Sequence, residues 1–473
     1  MLNADFRQVN LAYGTCRQNK IPKNRVIRQR AITSPLGVKW KHKSTGEAVI
    51  EFAYTQKRLE RCINYSDLIN DKTLLNYANR WKAAGCALAG INAGNLFKTN
   101  LNEINIRGKS AYKCSNIEQT LATRLVSQNI RANYKIRQQN RNIIIKNLIS
   151  FLKESGPYQV FRFDIEAFFE SINRDELSKR LINDGRCSRQ TILLLSQLFE
   201  GLGRQGVTGL PRGLSLSSTL SEYALHEFDA AIKQEDNIFF YARFVDDIIL
   251  ITSPELHKTE VIKLLESNIF PGLNLHKSGK KVSHHSVPKS GEKDNKPEQK
   301  SHCFDYLGYQ FSIFEKNDAV DKILGLSRRR VDIDISQEKI DKLSARIITS
   351  FTSYISSASS PDAFDLLENR IKALTGNYII RDPVTGIRIK TGVYYNYADK
   401  NDIRDCPLKK LDALLRGLLF SRHHKLSAKV QTKISLNNRR KLVGYTFSGG
   451  FHNRRLHFFS NADLKRMKEA WQK

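Results

Sequence analysis

Acidic residues are scarce in this chain of 473 residues: 47 Asp and Glu stand against 77 Lys and Arg, a formal charge of +30. A small neutral substrate does not call for such an excess. A polyanion does, because cationic side chains release the counterions condensed on a phosphate backbone and make affinity strongly salt dependent. Cysteine is thin as well. The seven (Cys16, Cys62, Cys86, Cys114, Cys187, Cys303 and Cys406) are dispersed, odd in number and without a CxxC pair, which argues against a disulfide framework and against a zinc site. The pairs His284-His285 and His423-His424 do not repair that lack, since neighbouring side chains on a strand or helix diverge. No run of 18 uncharged residues occurs, and Met1 to Arg7 contains no apolar signal core, so the chain reads as soluble and cytoplasmic with no membrane association.

What the chain does contain is a pair of carboxylates in an unfavourable place. Tyr241-Ala242-Arg243-Phe244-Val245-Asp246-Asp247-Ile248-Ile249-Leu250 sets two acids on the crest of an apolar, β-branched sequence, where charge is costly unless cations or hydrogen bonds compensate it. Residues on a strand alternate faces, so Asp246 and Asp247 serve one site only at a hairpin turn. A third carboxylate comes from Phe161-Arg162-Phe163-Asp164-Ile165, another apolar strand ending in an acid. Strand ends of this kind suit a two-metal site, with ions roughly 3.5–4 Å apart on the attacking and leaving oxygens of a phosphoryl transfer. One ion would activate a nucleic-acid 3′-hydroxyl and the other would neutralise pyrophosphate, which is nucleotidyl transfer. The expected metal ligands are therefore Asp164, Asp246 and Asp247, and the expected cofactor is a pair of Mg²⁺ ions, for which Mn²⁺ could substitute.

Along the chain, residues 1–101 form a basic N-terminal extension with helical stretches such as Tyr65–Trp81 and a small-residue run at Ala83–Gly94. A short basic strand pair is expected over Ile104–Cys114, then helices over Ile117–Ile130 and Asn142–Lys153. Residues 156–252 alternate strand, helix, strand and hairpin, an α+β layer. The polar, Pro- and Gly-interrupted stretch 277–302 reads as a mobile loop. A strand returns at Phe304–Phe311, followed by amphipathic helices at Gln337–Ser357 and Pro361–Leu374. The basic tail, with Arg422, Lys425, Arg439, Arg440, Arg454 and Arg455 interleaved with Tyr445, Phe447, Phe451, Phe458 and Phe459, suits RNA bound by phosphate contact and base stacking.

These motifs, in this order, resemble those of reverse transcriptases. Asp164-Ile165 through Phe168-Phe169-Glu170-Ser171-Ile172 and Val245-Asp246-Asp247 resemble the two carboxylate motifs. Gly209-Leu210-Pro211-Arg212-Gly213 is similar to the loop whose glycine lets backbone approach the nascent base pair. Gly272 to Lys281 resembles the lysine-bearing palm segment, and Phe304–Phe311 the primer-grip hairpin. Tyr134-Lys135-Ile136-Arg137-Gln138-Gln139-Asn140-Arg141 is similar to a fingers motif of retron and group II intron enzymes, and Arg107 to Lys113 to their basic fingers hairpin.

The resemblance implies a right-hand polymerase of α+β class: fingers over 102–158, palm over 159–315, helical thumb and basic C-terminal region over 316–473. It implies that Phe169 stacks under the sugar and excludes a 2′-hydroxyl, so that dNTPs are the substrates. Ile165 would lend a backbone carbonyl to metal or its N–H to triphosphate. Lys113, Arg137 and Arg141 would clamp triphosphate, whose oxygens suit planar guanidinium groups, and Arg212 and Gly213 would flank the base pair. Lys280, in preference to Lys277, would protonate leaving pyrophosphate.

The Asp-Ile-x-x-Phe-Phe-x-Ser-Ile form and the long C-terminal extension most resemble bacterial abortive-infection and other defence-associated reverse transcriptases. That group implies RNA-templated DNA synthesis in antiphage defence, with a non-coding RNA as template, and either self-association or a second protein as partner. Two departures matter: Arg212 stands where many relatives have glutamine, and Val245 where alanine is commoner. The first leaves open protein-primed or template-independent synthesis, and a catalytically idle RNA-binding scaffold is the rival from another class.

Overall fold

The computed structural model describes residues 53–106, 108–279, 281–290, 300–317, 328–357, 360–401, 407–423 and 426–471. The chain divides into residues 1–49 and 50–473, the first outside the described residues. From Ala53 onward helices dominate. The helix expected over 65–81 is split into Tyr65–Asn70, a 3₁₀ turn Lys72–Leu75 and the start of Tyr77–Asn92. The cause is local: Asp71 accepts the Thr73 N–H at 2.9 Å and Asn76 accepts the Ala78 N–H at 2.8 Å, so each side chain caps a new helix instead of continuing the old one. Ala84 and Ala87 of the third piece are fully buried, and this small-residue face packs against the helix Ile117–Asn133. Residues 54–101 therefore share one apolar core with Phe161, Phe163, Ile248 and Leu250.

The hairpin of Asn102–Ile106 (β1) and Lys109–Lys113 (β2) precedes the helices Ile117–Asn133 and Arg141–Leu152. A four-stranded antiparallel sheet then carries the centre: Tyr158–Asp164 (β3), Ile238–Phe244 (β4), Asp247–Thr252 (β5) and Ser283–Val287 (β6), in the order β4-β5-β3-β6. Both faces are covered. Phe161, Phe163, Ile248 and Leu250 face the helical core, while Val160, Ala242, Ile249 and Ile251 of opposite parity face a second core. That second core is shared with Lys300–Tyr306 (β7), Tyr309–Asn317 (β8) and Arg329–Ile335 (β9). A sheet buried on both sides leaves room for carboxylates only at strand ends.

Two expectations are corrected here. Residues 277–302 are not all loop, because β6 pairs with β3 along its whole length; its Ser-His-His-Ser composition hid the strand. His284 is held there by Gln159 Oε1 at 2.7 Å and by stacking on Phe161 with ring centroids 4.3 Å apart. Residues 291–299 and Arg107 lie outside the described residues. The stretch Phe304–Phe311 is not the single strand its pattern suggests but the hairpin the resemblance implies, β7 and β8 joined at Leu307 and Gly308, whose φ values of 46° and 83° are the signs a type I′ turn requires.

The C-terminal third is helical around a third core, with helices Gln337–Ser356, Pro361–Thr375, Pro407–Phe420, Ser427–Lys433, Leu436–Val443, Phe447–His452 and Asn461–Glu469. It also holds a small sheet that the sequence pattern did not announce: Asn377–Arg381 (β10), Arg388–Gly392 (β11) and Leu456–His457 (β12), in the order β11-β10-β12. The chain is thus an α+β protein with helices and sheets in separate layers, the sheets antiparallel except for the β10–β12 pair, and this agrees with the expected right-hand polymerase. No helix among the described residues is long and apolar enough to cross a membrane, and no disulfide joins the described cysteines.

One buried carboxylate ties this third together. Glu368 accepts from Lys372 Nζ at 2.9 Å, Lys441 Nζ at 2.9 Å and the Tyr445 hydroxyl at 2.7 Å. Burial pushes its carboxyl up, but the hydrogen bonds from Lys441, Lys372 and Tyr445 outweigh it and bring the pKa down from 4.5 to about 2. A depressed folded-state pKa contributes stability that is complete above the unfolded value and fades as pH falls from 4.5 to about 2. Glu368→Gln should therefore cost about 2 kcal/mol at pH 7, the scale of hydrogen bonds to a charged group. The gap between variant and wild type should close towards pH 2, as followed by denaturant unfolding across pH.

Candidate active site

The carboxylates meet at one end of the central sheet. In the β3–β5 ladder Asp164 lies directly opposite Asp247, so the two share a face, and Asp246 occupies the two-residue turn between β4 and β5. Val245, the first turn residue, has φ of 64°, a left-handed conformation that a β-branched side chain adopts only under constraint. The constraint is visible. Arg243, buried on β4, donates to the Val245 carbonyl at 2.8 Å while pairing with Asp229 at 2.7 Å and Glu222 at 2.7 Å. Burial alone would lower its pKa; the bonds to Asp229 and Glu222 reverse that and raise it. A buried guanidinium, neutralised by two acids behind the sheet, thus grips the turn that presents Asp246.

The three acids crowd one another. Burial raises the Asp246 carboxyl above its ordinary value, and the charges of Asp164 and then Asp247 push the same way. Cations offset the excess: Arg162 Nη2 lies 3.0 Å from Asp247 Oδ1, and Lys281 Nζ donates to both oxygens of Asp164, at 2.8 and 2.6 Å. Burial works against the Lys281 ammonium, yet its bonds to Asp164 prevail and hold its pKa up. Lys281 is a residue the sequence reading missed. Lys280, the expected proton donor, lies outside the described residues, whereas extending the β3–β6 register two residues past Arg162↔Ser283 brings Lys281 opposite Asp164.

The donor set suits hard divalent cations, which take carboxylate and carbonyl oxygens. The Ile165 N–H is already committed to the Asp246 carbonyl at 3.2 Å, so of its two expected contributions only the carbonyl is available. Among the described residues no three His, Cys, Asp or Glu side chains form a ready metal cage. Lys281 donates to both Asp164 oxygens, so a metal bound there would compete with the ammonium for that carboxylate.

Around this centre, Phe168 is buried while its neighbour Phe169 is partly exposed. Gly209 and Gly213 have φ of 57° and 98°. A Cβ at Gly209 would come within 2.3 Å of the Phe169 carbonyl, and one at Gly213 within 2.6 Å of the Tyr112 carbonyl, so the loop is pressed between the Phe169 turn and β2. Arg212 pairs with Glu170 through Nε–Oε1 at 2.5 Å and Nη2–Oε2 at 3.0 Å. Lys113 is exposed at the end of β2, and Arg137 is exposed in the connection before the helix Arg141–Leu152.

Several expected contacts are spent elsewhere. Arg141 donates to the carbonyls of Leu307, at 2.6 and 3.0 Å, and of Asn396 at 3.0 Å, and lies over the Tyr309 ring. It buttresses the β7–β8 turn. In the basic tail, Arg439 donates to the carbonyls of Ile434 and Leu419, and Arg455 to that of Gly444, so both serve the local fold. Arg422 and Arg440 are exposed, and Arg454 is exposed with its guanidinium 4.4 Å from the Tyr394 ring centroid; Lys425 and His424 lie outside the described residues. Phe447 and Phe451 are core residues, while Phe458 is 76% exposed.

A central antiparallel sheet with acids on adjoining strand ends is the arrangement expected of nucleotidyl-transferring polymerases. Residues 107–311 match the family model described as reverse transcriptase (RNA-dependent DNA polymerase), and the chain therefore carries a reverse transcriptase domain, the domain of RNA-directed DNA polymerases. Among solved structures it is similar to a telomerase from Candida albicans in complex with a TWJ fragment of telomeric RNA. That match has 12% identity and a TM-score of 0.29, covering 74% of this chain and 54% of that one. A second is an apo telomerase from Candida tropicalis, with 11% identity and a TM-score of 0.32, covering 78% of this chain and 64% of that one. The chain thus spans less than two thirds of the length of either telomerase. No curated protein matches it significantly.

Removing the grip on the turn tests its importance. Arg243→Met leaves Glu222 and Asp229 without their shared cation and should destabilise the protein by about 3–5 kcal/mol, the usual scale for breaking a buried ion pair. Urea unfolding measures it. A loss below about 1 kcal/mol would show that Arg243 does not secure the turn.

Proposed function

We propose that the protein is an RNA-directed DNA polymerase that extends a nucleic-acid 3′-end with dNTPs. The observation that carries this reading is the register pair Asp164↔Asp247 with Asp246 in the adjoining turn. In this reading Asp164, Asp246, Asp247 and the Ile165 carbonyl hold two Mg²⁺ ions. When bound, the metals supply Lewis acidity to the 3′-hydroxyl and charge neutralisation to the departing pyrophosphate.

The chain's own residues do the rest. Phe169 presents its ring to the sugar, and Lys113 and Arg137 offer cations to the triphosphate from the fingers, 102–158. The palm, 159–315, keeps the acids rigid through Arg243 and Arg162. Arg422, Arg440 and Arg454 of the thumb and C-terminal region, 316–473, meet phosphates. Lys281, half-exposed and paired with Asp164, is the cation placed to meet the reacting phosphates. The form of the motif around Asp164 supports a bacterial antiviral setting with a non-coding RNA as template.

A second reading, protein-primed or template-independent synthesis, is favoured by Arg212, a cation tied to Glu170 where related loops carry a neutral amide. DNA that stays in the protein phase through phenol and is freed by protease would select it over nucleic-acid priming. For the polymerase reading itself, the D246N/D247N double variant should lose dNTP incorporation by at least about 10³-fold, a barrier increase of roughly 4 kcal/mol, while its unfolding midpoint and RNA affinity stay close to wild type. Undiminished synthesis by that variant would remove these residues from the chemistry.

A further inference from the structure

Resting on the polymerase reading above, we propose that Glu170 is a positioning residue for sugar discrimination: by fixing Arg212 across the Phe169 ring, it sets how strictly a 2′-hydroxyl is refused. Phe169 lies in a single helical turn, Phe168–Ser171, entered through Ala167 at φ 41°. Its ring meets Phe168 on one side, with centroids 5.3 Å apart, and the Arg212 guanidinium on another, 5.5 Å from the centroid. Phe168 is buried and has nowhere to go. Arg212 is a long, partly exposed side chain, and its place depends on what it is tied to.

Backbone contacts hold both partners. The Leu210 N–H donates to the Phe169 carbonyl at 2.7 Å, and the Arg212 carbonyl accepts the Tyr112 N–H at 2.7 Å. With both backbones held, the freedom left to the site is that of the Arg212 side chain, and Glu170 takes it up with a two-pronged pair at 2.5 and 3.0 Å. Planar, bidentate geometry of this kind constrains a guanidinium far better than a single contact. The pair faces the open side of the site, with side chains 33% and 42% exposed. In an enzyme loaded with polyanions, an untethered arginine there would swing to a phosphate, and the ring would lose one of its walls. A steric gate must reject a single oxygen, so a ring free to yield by a few tenths of an ångström discriminates poorly.

The test is steady-state kinetics with dNTP and rNTP for the wild type, E170Q, R212Q and the double variant. E170Q should lower the ratio of kcat/KM for dNTP over rNTP by about two- to fivefold, the scale of an exposed pair, chiefly through a rise for rNTP. If Glu170 acts through Arg212, the double variant should be no worse than R212Q alone. A purely structural role would lower both substrates together and leave the ratio unmoved, and that result, or additive effects in the double variant, overturns the proposal while leaving the polymerase reading intact. A wild-type protein that incorporates neither nucleotide overturns both.

Discussion

Mutual repulsion among Asp164, Asp246 and Asp247 is the constraint on which the rest of this molecule turns. Three carboxylates at the end of a sheet buried on both faces would drive the strands apart or bind protons; burial first, and then the charges of Asp164 and Asp247, raise the pKa of Asp246. The protein meets it with cations placed at different depths. Arg243 neutralises Asp229 and Glu222 behind the sheet and grips the turn, Arg162 sits against Asp247, and Lys281 covers Asp164. The first is locked in the core. The last sits on a half-exposed side chain, so that the cation most easily displaced is the one on Asp164, the carboxylate proposed as a metal ligand.

Strain and anchoring go together around this centre. Val245 at φ 64° and Ala167 at φ 41° are both non-glycine residues in the left-handed region, and both border the acids. Such conformations persist only where surrounding contacts over-determine them. The contacts are identifiable: Arg243 on the Val245 carbonyl, the Leu210 N–H on the Phe169 carbonyl just after Ala167, and the Tyr306 hydroxyl reaching the Asp247 carbonyl at 3.4 Å. Loop, turn and hairpin from distant parts of the chain thereby converge on a few backbone atoms, which is how a site made of short motifs attains a single geometry.

The carboxylate centre was legible in the sequence because charge inside apolar strands is costly and so carries information; Asp164, Asp246 and Asp247 stood out for that reason alone. Lys281 did not. Three lysines fall within residues 277–281, and the choice among them depends on the register of β6, whose serines and histidines do not look like a strand. Nothing in the strand pattern sets Arg243 apart, because its partners Glu222 and Asp229 come from two separate helices. The Glu170–Arg212 pair spans 42 residues and joins a helical turn to a loop, a proximity that periodicity cannot supply. Among the basic residues, sequence had no means of separating Arg439, Arg455 and Arg141, which are consumed by backbone carbonyls, from Arg440 and Arg422, which remain exposed.

The central claim is that these three acids bind divalent ions in concert with nucleotide. Titration with Mn²⁺ followed by electron paramagnetic resonance, in the presence of a primer–template and a non-reactive dNTP analogue, tests it most directly. The account requires bound Mn²⁺ to appear with the nucleotide in the wild type and to be lost in Asp164→Asn. Mn²⁺ that binds equally well to that variant, or fails to bind the wild type with nucleotide present, would contradict it.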